Sequence, residues 1–474
     1  MREFKILLGG NWEEGQERRT LRYPYDDREI AEVHIAGVSQ AEKALDMAEA
    51  AFDAMRRLSS EERFNILAKV SSRLKELEQE IAREITLACG KPIKDATTEV
   101  KRAQFTFLTA AEEAKRIGGE IYPLDMRKGA EKRWAIVRRF PIGIIFGIAP
   151  FNFPLNLVAH KLAPAIASGN SIIIRPATQT ATVALRLGQI LYEAGLPEGA
   201  LSVLPSTYEA ADRIIGDPRV KLLTFTGSAQ VGWGLKKKAA KKKVVLELGG
   251  NAASIVEPDV PLEWSVERNV LGAYNYSGQV CISVQRIYVH QSIYREFLDR
   301  FVERVKTLKI GDPLDPEVRV GPLINDAAVE KTLSWVEEAK KMGGKVLMGG
   351  ERKGRIITPM VIVDVPHEAK VVSEEAFAPL VVIMPYEKFE EAVERVNDSK
   401  YGLQAGVFTK DLLKIRYAYE NIEVGGVVVN DAPSFRVDHM IYGGVKESGF
   451  GREGLRYAIE EMTEPRLLVL NTKF

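Results

Sequence analysis

The segment NYSGQVCISVQR (Asn275–Arg286) holds Cys281, one of two cysteines among 474 residues. A thiol can fill a core, close a disulfide, bind a metal or attack an electrophile, and the thiolate is the reactive form. The other cysteine, Cys89 in LACGKP, lies far away in the chain at a predicted helix end, where packing is its expected role. Two cysteines so placed make no disulfide framework, and no Cys/His cluster suggests a metal site. Three further motifs offer chemistry. PFNFP (Pro150–Pro154) sets Asn152 in a tight strand-to-helix loop, where an Asn is usually a cap. FTGSAQVG (Phe225–Gly232) lets the backbone turn at Gly227, and Ser228 can offer N–H and hydroxyl to a phosphate at a helix start. VLELGG (Val245–Gly250) ends a strand with Glu247 before two glycines, a carboxylate that is either solvated or a base. None of these is decisive alone: the glycine turn lacks the full G-x-G-x-x-G, and a lone cysteine is commonly an inert small hydrophobe.

Those motifs need elements to hold them. The first hundred residues read mainly as helix. Ser39 can cap QAEKALDMAEAAFDAMRRL. SSEERFNILAKVSSRLKELEQEIAREITLAC then repeats apolar positions at three- and four-residue intervals and stops at Gly90-Lys91-Pro92. A third helix runs through KRAQFTFLTAAEEAKRI. Two β-leaning segments around Lys128-Gly129 read as a hairpin. From Gly143 short apolar runs, IIFGIAP, SIIIRPA, LSVLPS and KLLTFTGS, alternate with helical stretches, which indicates a parallel sheet covered on both faces. A second β/α series starts near Gly250, and PRLLVLN closes the chain as a strand. The fold class is α/β, and a chain this long suggests two or three domains.

Lys plus Arg (66) nearly equals Asp plus Glu (65), which argues against a nucleic-acid partner. The KKKAAKKK run (Lys236–Lys243) reads as the solvated end of a helix, with a nuclear address or phosphate patch as the alternatives. The start lacks a signal-peptide core, and no run reaches the ~18 apolar residues a membrane helix needs, so the expectation is a cytoplasmic protein without membrane contact.

Taken together, PFNFP, FTGS-x-x-x-G, LELGGN, SGQ-x-C, EEAFAP and SGFGREG resemble, in order and approximate spacing, the motif set of the NAD(P)-dependent aldehyde dehydrogenase superfamily. The resemblance spans essentially the whole chain and implies roles. Cys281 would be the nucleophile that makes a tetrahedral adduct able to expel hydride. The Asn152 amide and the Cys281 N–H would hold the oxyanion. Glu247 would activate water against the thioester, and Lys161, in AHKLAPA, would relay its proton or else be an ion-paired helix lysine. Ile148, Gly227, Ser228, Gly232, Leu248, Glu375 and Phe377 would bind the dinucleotide. The implied architecture is a Rossmann-like cofactor domain (1–118 and 142–249), a catalytic domain (250–447) and a β oligomerisation arm (119–141 and 448–474), assembling as a homotetramer or homodimer. A coenzyme A-acylating member or a non-enzymatic structural relative would be expected to lack Glu247 or Cys281.

One departure concerns the cofactor. Where the commoner pattern has Lys and, three residues on, Glu, this chain has Arg175 and Thr178. A guanidinium with a neutral partner grips a 2′-phosphate, so NADP is expected first and NAD second. NDAPSFRVDHMIYGG (Asn430–Gly444) resembles members acting on small polar or anionic aldehydes. Arg436, His439 and Arg102 would face the substrate anion, unless Arg436 pairs with Asp438 or another surface carboxylate and Arg102 with a helix neighbour. Glyceraldehyde 3-phosphate is the first expectation. Lactaldehyde is close behind, because Val280 precedes the nucleophile where phosphate- or phosphonate-specific relatives carry Arg. Succinate semialdehyde or another short aldehyde follows.

Overall fold

Runs of aliphatic and β-branched residues become the buried strands of two sheets. The computed structural model describes residues 2–472; Met1, Lys473 and Phe474, counted above in the cofactor domain and the arm, lie outside the described residues. In the first sheet, Lys243–Glu247, Val220–Thr226, Ile144–Ile148, Ser171–Arg175 and Leu201–Val203 lie side by side, all parallel. Ile6–Leu8 and Asn11–Glu13 extend one edge antiparallel, and Gly449–Phe450 pairs antiparallel at the other. The second sheet runs Lys345–Met348, Met360–Val363, Leu380–Tyr386, Arg286–His290, Ala253–Val256, Gln404–Phe408, Gly426–Val429, parallel except for its first pair. Doubly covered parallel strands explain the near-continuous apolar runs.

The third sheet is antiparallel: Thr463–Asn471, Arg133–Pro141 and Gly119–Pro123. It contains the hairpin expected around Lys128-Gly129, with Gly129 at φ 93 in its connection. Its C-terminal strand begins only at Thr463. Of the preceding residues grouped with the arm, Gly449–Phe450 joins the first sheet and helix Leu455–Glu461 packs on helix Asn156–Ala167.

The first hundred residues are mainly helical from Val38 on, as read, but the first 35 depart from that reading. Arg2–Phe4, Ile6–Leu8, Asn11–Glu13, Glu17–Arg22 and Glu29–Ile35 are strands. The period-two alternation of EIAEVHI suits a half-covered strand, and it pairs with Glu17–Arg22. The first helix starts at Val38 after Gly37, whose N–H donates to the Gln40 side chain (2.9 Å), so Ser39 lies within the helix instead of capping it. The long helix that follows is two helices, Ser60–Glu76 and Glu78–Cys89, because Leu77 leaves helical geometry at φ −96°, ψ 12°. Ser59 opens the first of them with a reciprocal Ser59–Glu62 capping box. The third helix, Ile93–Ala114, begins directly after Pro92. The lysine run ends helix Ala229–Lys238, as its composition suggests.

A fully buried helix, Asn156–Ala167, sits between these layers. Its first turn is held from outside: the Glu99 carboxylate accepts the N–H groups of Leu155 (2.9 Å) and Asn156 (3.0 Å). Glu99 also pairs with Lys91, equally buried, whose ammonium lies over the rings of Phe153 (3.6 Å) and Tyr276 (4.6 Å). A carboxylate at a helix N-terminus is favourable, and its charge is compensated. That cluster joins the Asn152 loop to the loop before Cys281.

Candidate active site

Cys281 follows a loop that an ordinary chain avoids. Tyr276 (φ 50), Ser277 (φ 56) and Gly278 (φ 70) are consecutive left-handed residues. Tertiary bonds impose this strain. The Ser277 hydroxyl donates to the Gly321 carbonyl (2.9 Å) and accepts its N–H (3.0 Å). The Gln279 amide accepts from Ile324 N–H (3.0 Å). A Cβ on Gly278 would sit 2.2 Å from the Ala378 carbonyl oxygen, so only glycine fits. Cys281 emerges half-buried at the wall of a cavity of about 320 Å³, its Sγ 3.2 Å from the Tyr442 hydroxyl. Burial pushes its thiol up to about 11, while the Tyr442 hydrogen bond and the Arg436 charge pull the other way. Cys89 is wholly buried, as expected of a packing residue.

Asn152 is tied to this loop: its Nδ2 donates to the Gln279 carbonyl (3.0 Å), leaving a second N–H for another acceptor. Glu247 ends strand Lys243–Glu247, buried, with neither carboxylate oxygen hydrogen-bonded. Desolvation, then the charge of Glu453, raises its carboxyl well above the usual range, against the pull of Arg436 and Lys161. Lys161, on the buried helix, donates to Thr224 Oγ1 (3.1 Å), Thr226 Oγ1 (2.8 Å) and Glu453 Oε1 (3.3 Å). Desolvation lowers its ammonium. Glu453 Oε2 accepts from Arg436 Nη2 (3.3 Å), and Arg436 stacks on Tyr442 with Cζ 3.6 Å from the ring centroid.

The cavity in front of Cys281 carries four cations, each partnered by a carboxylate. Lys91 pairs with Glu99, and Arg268 with Asp431 (2.5 Å). Arg102 forms a two-pronged pair with Asp438 (3.1 and 2.7 Å), and Arg436 pairs with Glu453. Asp438 also takes Asn156 Nδ2 (2.9 Å) and lies 2.9 Å from His160 Nε2. Burial would raise the Asp438 carboxyl, but His160 and Arg102 hold it well below the carboxylate range. The bond from His160 assumes that tautomer. Arg436 Nε has no partner. His439, expected at the substrate, is exposed and packs edge-on against Phe105 (5.6 Å), outside the cavity wall.

The remaining motif residues gather along the C-terminal ends of the first sheet and beside the loop to the second. A Cβ on Gly227 would meet the Phe225 ring at 2.5 Å and one on Gly232 the Leu248 side chain at 2.4 Å, so the helix after Ser228 packs close on its strand. Ser228 is at the N-cap of that ten-residue helix and makes no capping bond, leaving its hydroxyl and the first-turn N–H groups free for a phosphate. Ile148 ends its strand, buried. Arg175 ends Ser171–Arg175, donates to Ser206 and lies over the Tyr208 ring (5.2 Å), and Thr178 opens the next turn. The Glu375 carboxylate accepts the Gly250 N–H (3.1 Å) and is pushed up to about 7 by burial. Phe377, at φ 53, packs edge-on against Phe151 (6.1 Å). These residues fit a nicotinamide dinucleotide: glycines without room for a Cβ, an uncapped helix start and a carboxylate at the sheet ends.

Tyr442, Glu453, His160, Arg268 and the Lys91–Glu99 pair were not singled out from sequence, and Asp438 was expected beside Arg436, whereas it holds Arg102 and Arg436 holds Glu453. Tyr442, Glu453, Asp438, His160 and Lys91 lie in quoted segments, but their roles depend on partners up to 336 positions away.

Residues 12–468 match the Aldehyde dehydrogenase family. The chain is 42% identical over 473 residues to 3-sulfolactaldehyde dehydrogenase of Priestia megaterium, covering 99% of this chain and 98% of that one. Aldehyde dehydrogenase 21 of Physcomitrella patens, solved with the reaction product succinate, superposes with a TM-score of 0.98 at 46% identity over 100% of this chain and 99% of that one. The glyceraldehyde-3-phosphate dehydrogenase GapN of Methanocaldococcus jannaschii, solved with NADP, superposes at 0.93 and 38% identity over 96% and 100%.

Proposed function

The chain belongs to the aldehyde dehydrogenase family, NAD(P)-dependent enzymes that oxidise aldehydes to acids, and from that premise we propose a substrate: a short aldehyde bearing one carboxylate or sulfonate. The observation that carries this is the cavity at Cys281. Its four cations each hold a carboxylate, Asp95 adds a further buried carboxyl to the lining, and Arg436 keeps a buried Nε without a partner. A monoanion beside the Arg436 guanidinium, which lines the cavity, needs no surplus positive charge. A phosphate dianion does need it, so glyceraldehyde 3-phosphate ranks behind. Lactaldehyde has no anion to offer. The names of the Priestia relative and the moss complex with succinate agree with an anionic substrate.

The Cys281 thiolate adds to the aldehyde carbon, and the resulting oxyanion takes the Cys281 N–H and the second N–H of Asn152. A bound nicotinamide dinucleotide supplies the hydride acceptor, held by Ser228, Gly227, Gly232, Leu248, Ile148, Glu375 and Phe377. The thioester left on Cys281 is hydrolysed by water that Glu247 deprotonates; the raised Glu247 carboxyl suits a base. Lys161 and Glu453, beside it, take the proton onward. In domain terms, the cofactor body is 1–118 with 142–249 and the catalytic body 250–447. The third sheet is an oligomerisation arm. Consecutive Leu467, Leu468, Val469 and Leu470 are all exposed, so both of its faces are bare and apolar, which supports a tetramer over a dimer.

Cys281→Ala should abolish aldehyde oxidation while Cys89→Ala keeps the rate within a few-fold. Glu247→Gln should keep the single-turnover NADPH burst and lose ~10²–10⁴ in steady turnover. In the wild type, steady turnover should rise with pH as Glu247 ionises, and that limb should vanish in Glu247→Gln. A burst lost with Glu247 would place it earlier in the reaction.

In kcat/KM assays, succinate semialdehyde and 3-sulfolactaldehyde should exceed glyceraldehyde 3-phosphate and lactaldehyde, and Arg436→Ala should penalise the anions about 10–100-fold more than lactaldehyde. A preference for lactaldehyde would end the anion assignment. The same assays should favour NADP over NAD, because Arg175 pairs with no carboxylate and Thr178 leaves a 2′-phosphate unrepelled. Thr178→Glu should invert that order, and an unchanged ratio would place phosphate recognition elsewhere. Light scattering should give a tetramer that Leu468→Glu breaks into smaller species; a wild-type monomer would refute the arm.

A further inference from the structure

We propose that Tyr442, stacked on Arg436, is a further catalytic residue: its hydroxyl donates a hydrogen bond to the Cys281 sulfur and holds it as thiolate. This rests on Cys281 being the nucleophile, and the reasons are geometric. The Tyr442 hydroxyl stands 3.2 Å from Sγ, the contact of a thiol with a phenol at a cavity wall both residues line. Tyr442 cannot drift from that position. Its backbone exchanges both hydrogen bonds with Glu453 (3.0 and 2.7 Å), Glu453 binds Arg436, and Arg436 lies 3.6 Å from the Tyr442 ring centroid, closing a triangle.

The charges around the sulfur show why a donor is needed. Two carboxylates, Glu375 and Glu247, oppose a negative sulfur, burial opposes it further, and the one cation near it, Arg436, is shared with Glu453. Tyr442 supplies the remaining stabilisation. Burial and the neighbouring Cys281 keep its phenol protonated far above the ordinary tyrosine range, so it remains a donor across the working pH. A guanidinium on the ring face draws electron density from the phenol and makes the O–H a stronger donor. When the thiolate attacks the aldehyde carbon, the sulfur loses its charge and the bond weakens, freeing Tyr442 without a proton transfer.

The test is the rate of Cys281 alkylation by iodoacetamide as a function of pH, read by peptide mass, in wild type and Tyr442→Phe. Neither aldehyde nor cofactor is present, so the outcome does not depend on the substrate assignment. The apparent thiol pKa should rise by about one unit, with alkylation below that pKa slowing about tenfold. The NADPH burst should slow in step. An unchanged alkylation profile, with only KM altered, would reduce Tyr442 to shaping the cavity and overturn the proposal. If Tyr442→Phe fails to fold, 3-fluorotyrosine at position 442, a more acidic donor of nearly the same size, should lower the thiol pKa, and no shift would again refute it. Were full alkylation of Cys281 to leave aldehyde oxidation intact, the nucleophile assignment itself would fall.

Discussion

A carboxylate removed from water with no hydrogen bond to either oxygen is among the costliest groups a protein interior can hold, and Glu247 is one. The surroundings follow from accommodating it. Gly443, at φ 143, leaves the space beside it, since a Cβ there would press on Glu247 Oε1 at 2.9 Å. Lys161 and Arg436 supply the nearby positive charge, but both are bound to Glu453, so neither neutralises Glu247 outright. The result is a carboxyl with a raised proton affinity beside a lysine with a lowered one, two groups pushed toward each other's range.

The elements are arranged to deliver that cluster. Lys161 lies on the buried helix Asn156–Ala167, whose start is held by Glu99 and whose preceding loop carries Asn152. Glu247 comes from the last parallel strand of the first sheet, and residues 436–453 are laid over both by Gly449–Phe450, which pairs with that strand. The loop before Cys281 meets the same region from the second sheet's side, kept in left-handed geometry by Ser277 and Gln279. Strain of this kind, of order 1–3 kcal/mol per residue, persists only where the surroundings over-determine it.

Pairing every cavity cation with a carboxylate has two effects. It satisfies guanidinium and ammonium groups that would otherwise be buried unpaired, at several kcal/mol each. It also leaves no cation of the cavity lining without a carboxylate beside it, so the lining carries no surplus positive charge. Arg436 Nε, buried beside Tyr442, is left without a hydrogen-bond partner.

Read alone, the sequence determined what local chemistry dictates: the parallel strands from their apolar runs, the hairpin from its turn, and the motifs around Asn152, Gly227, Glu247 and Cys281. Local patterns also misled where long-range contacts decide. The N-terminal strands lack a helical period but were grouped with the helices around them, and Leu77 breaks a helix whose periodicity continues through it. Arg102 and Arg436 could be placed near a substrate from their segments, yet only the folded chain shows that each already holds a carboxylate, Asp438 and Glu453. Tyr442 beside Cys281 and Glu453 beside Lys161 were likewise decided by tertiary structure. Ion pairing and desolvation depend on what surrounds a side chain in space, and for these residues the partners come from distant segments that meet only in the folded chain.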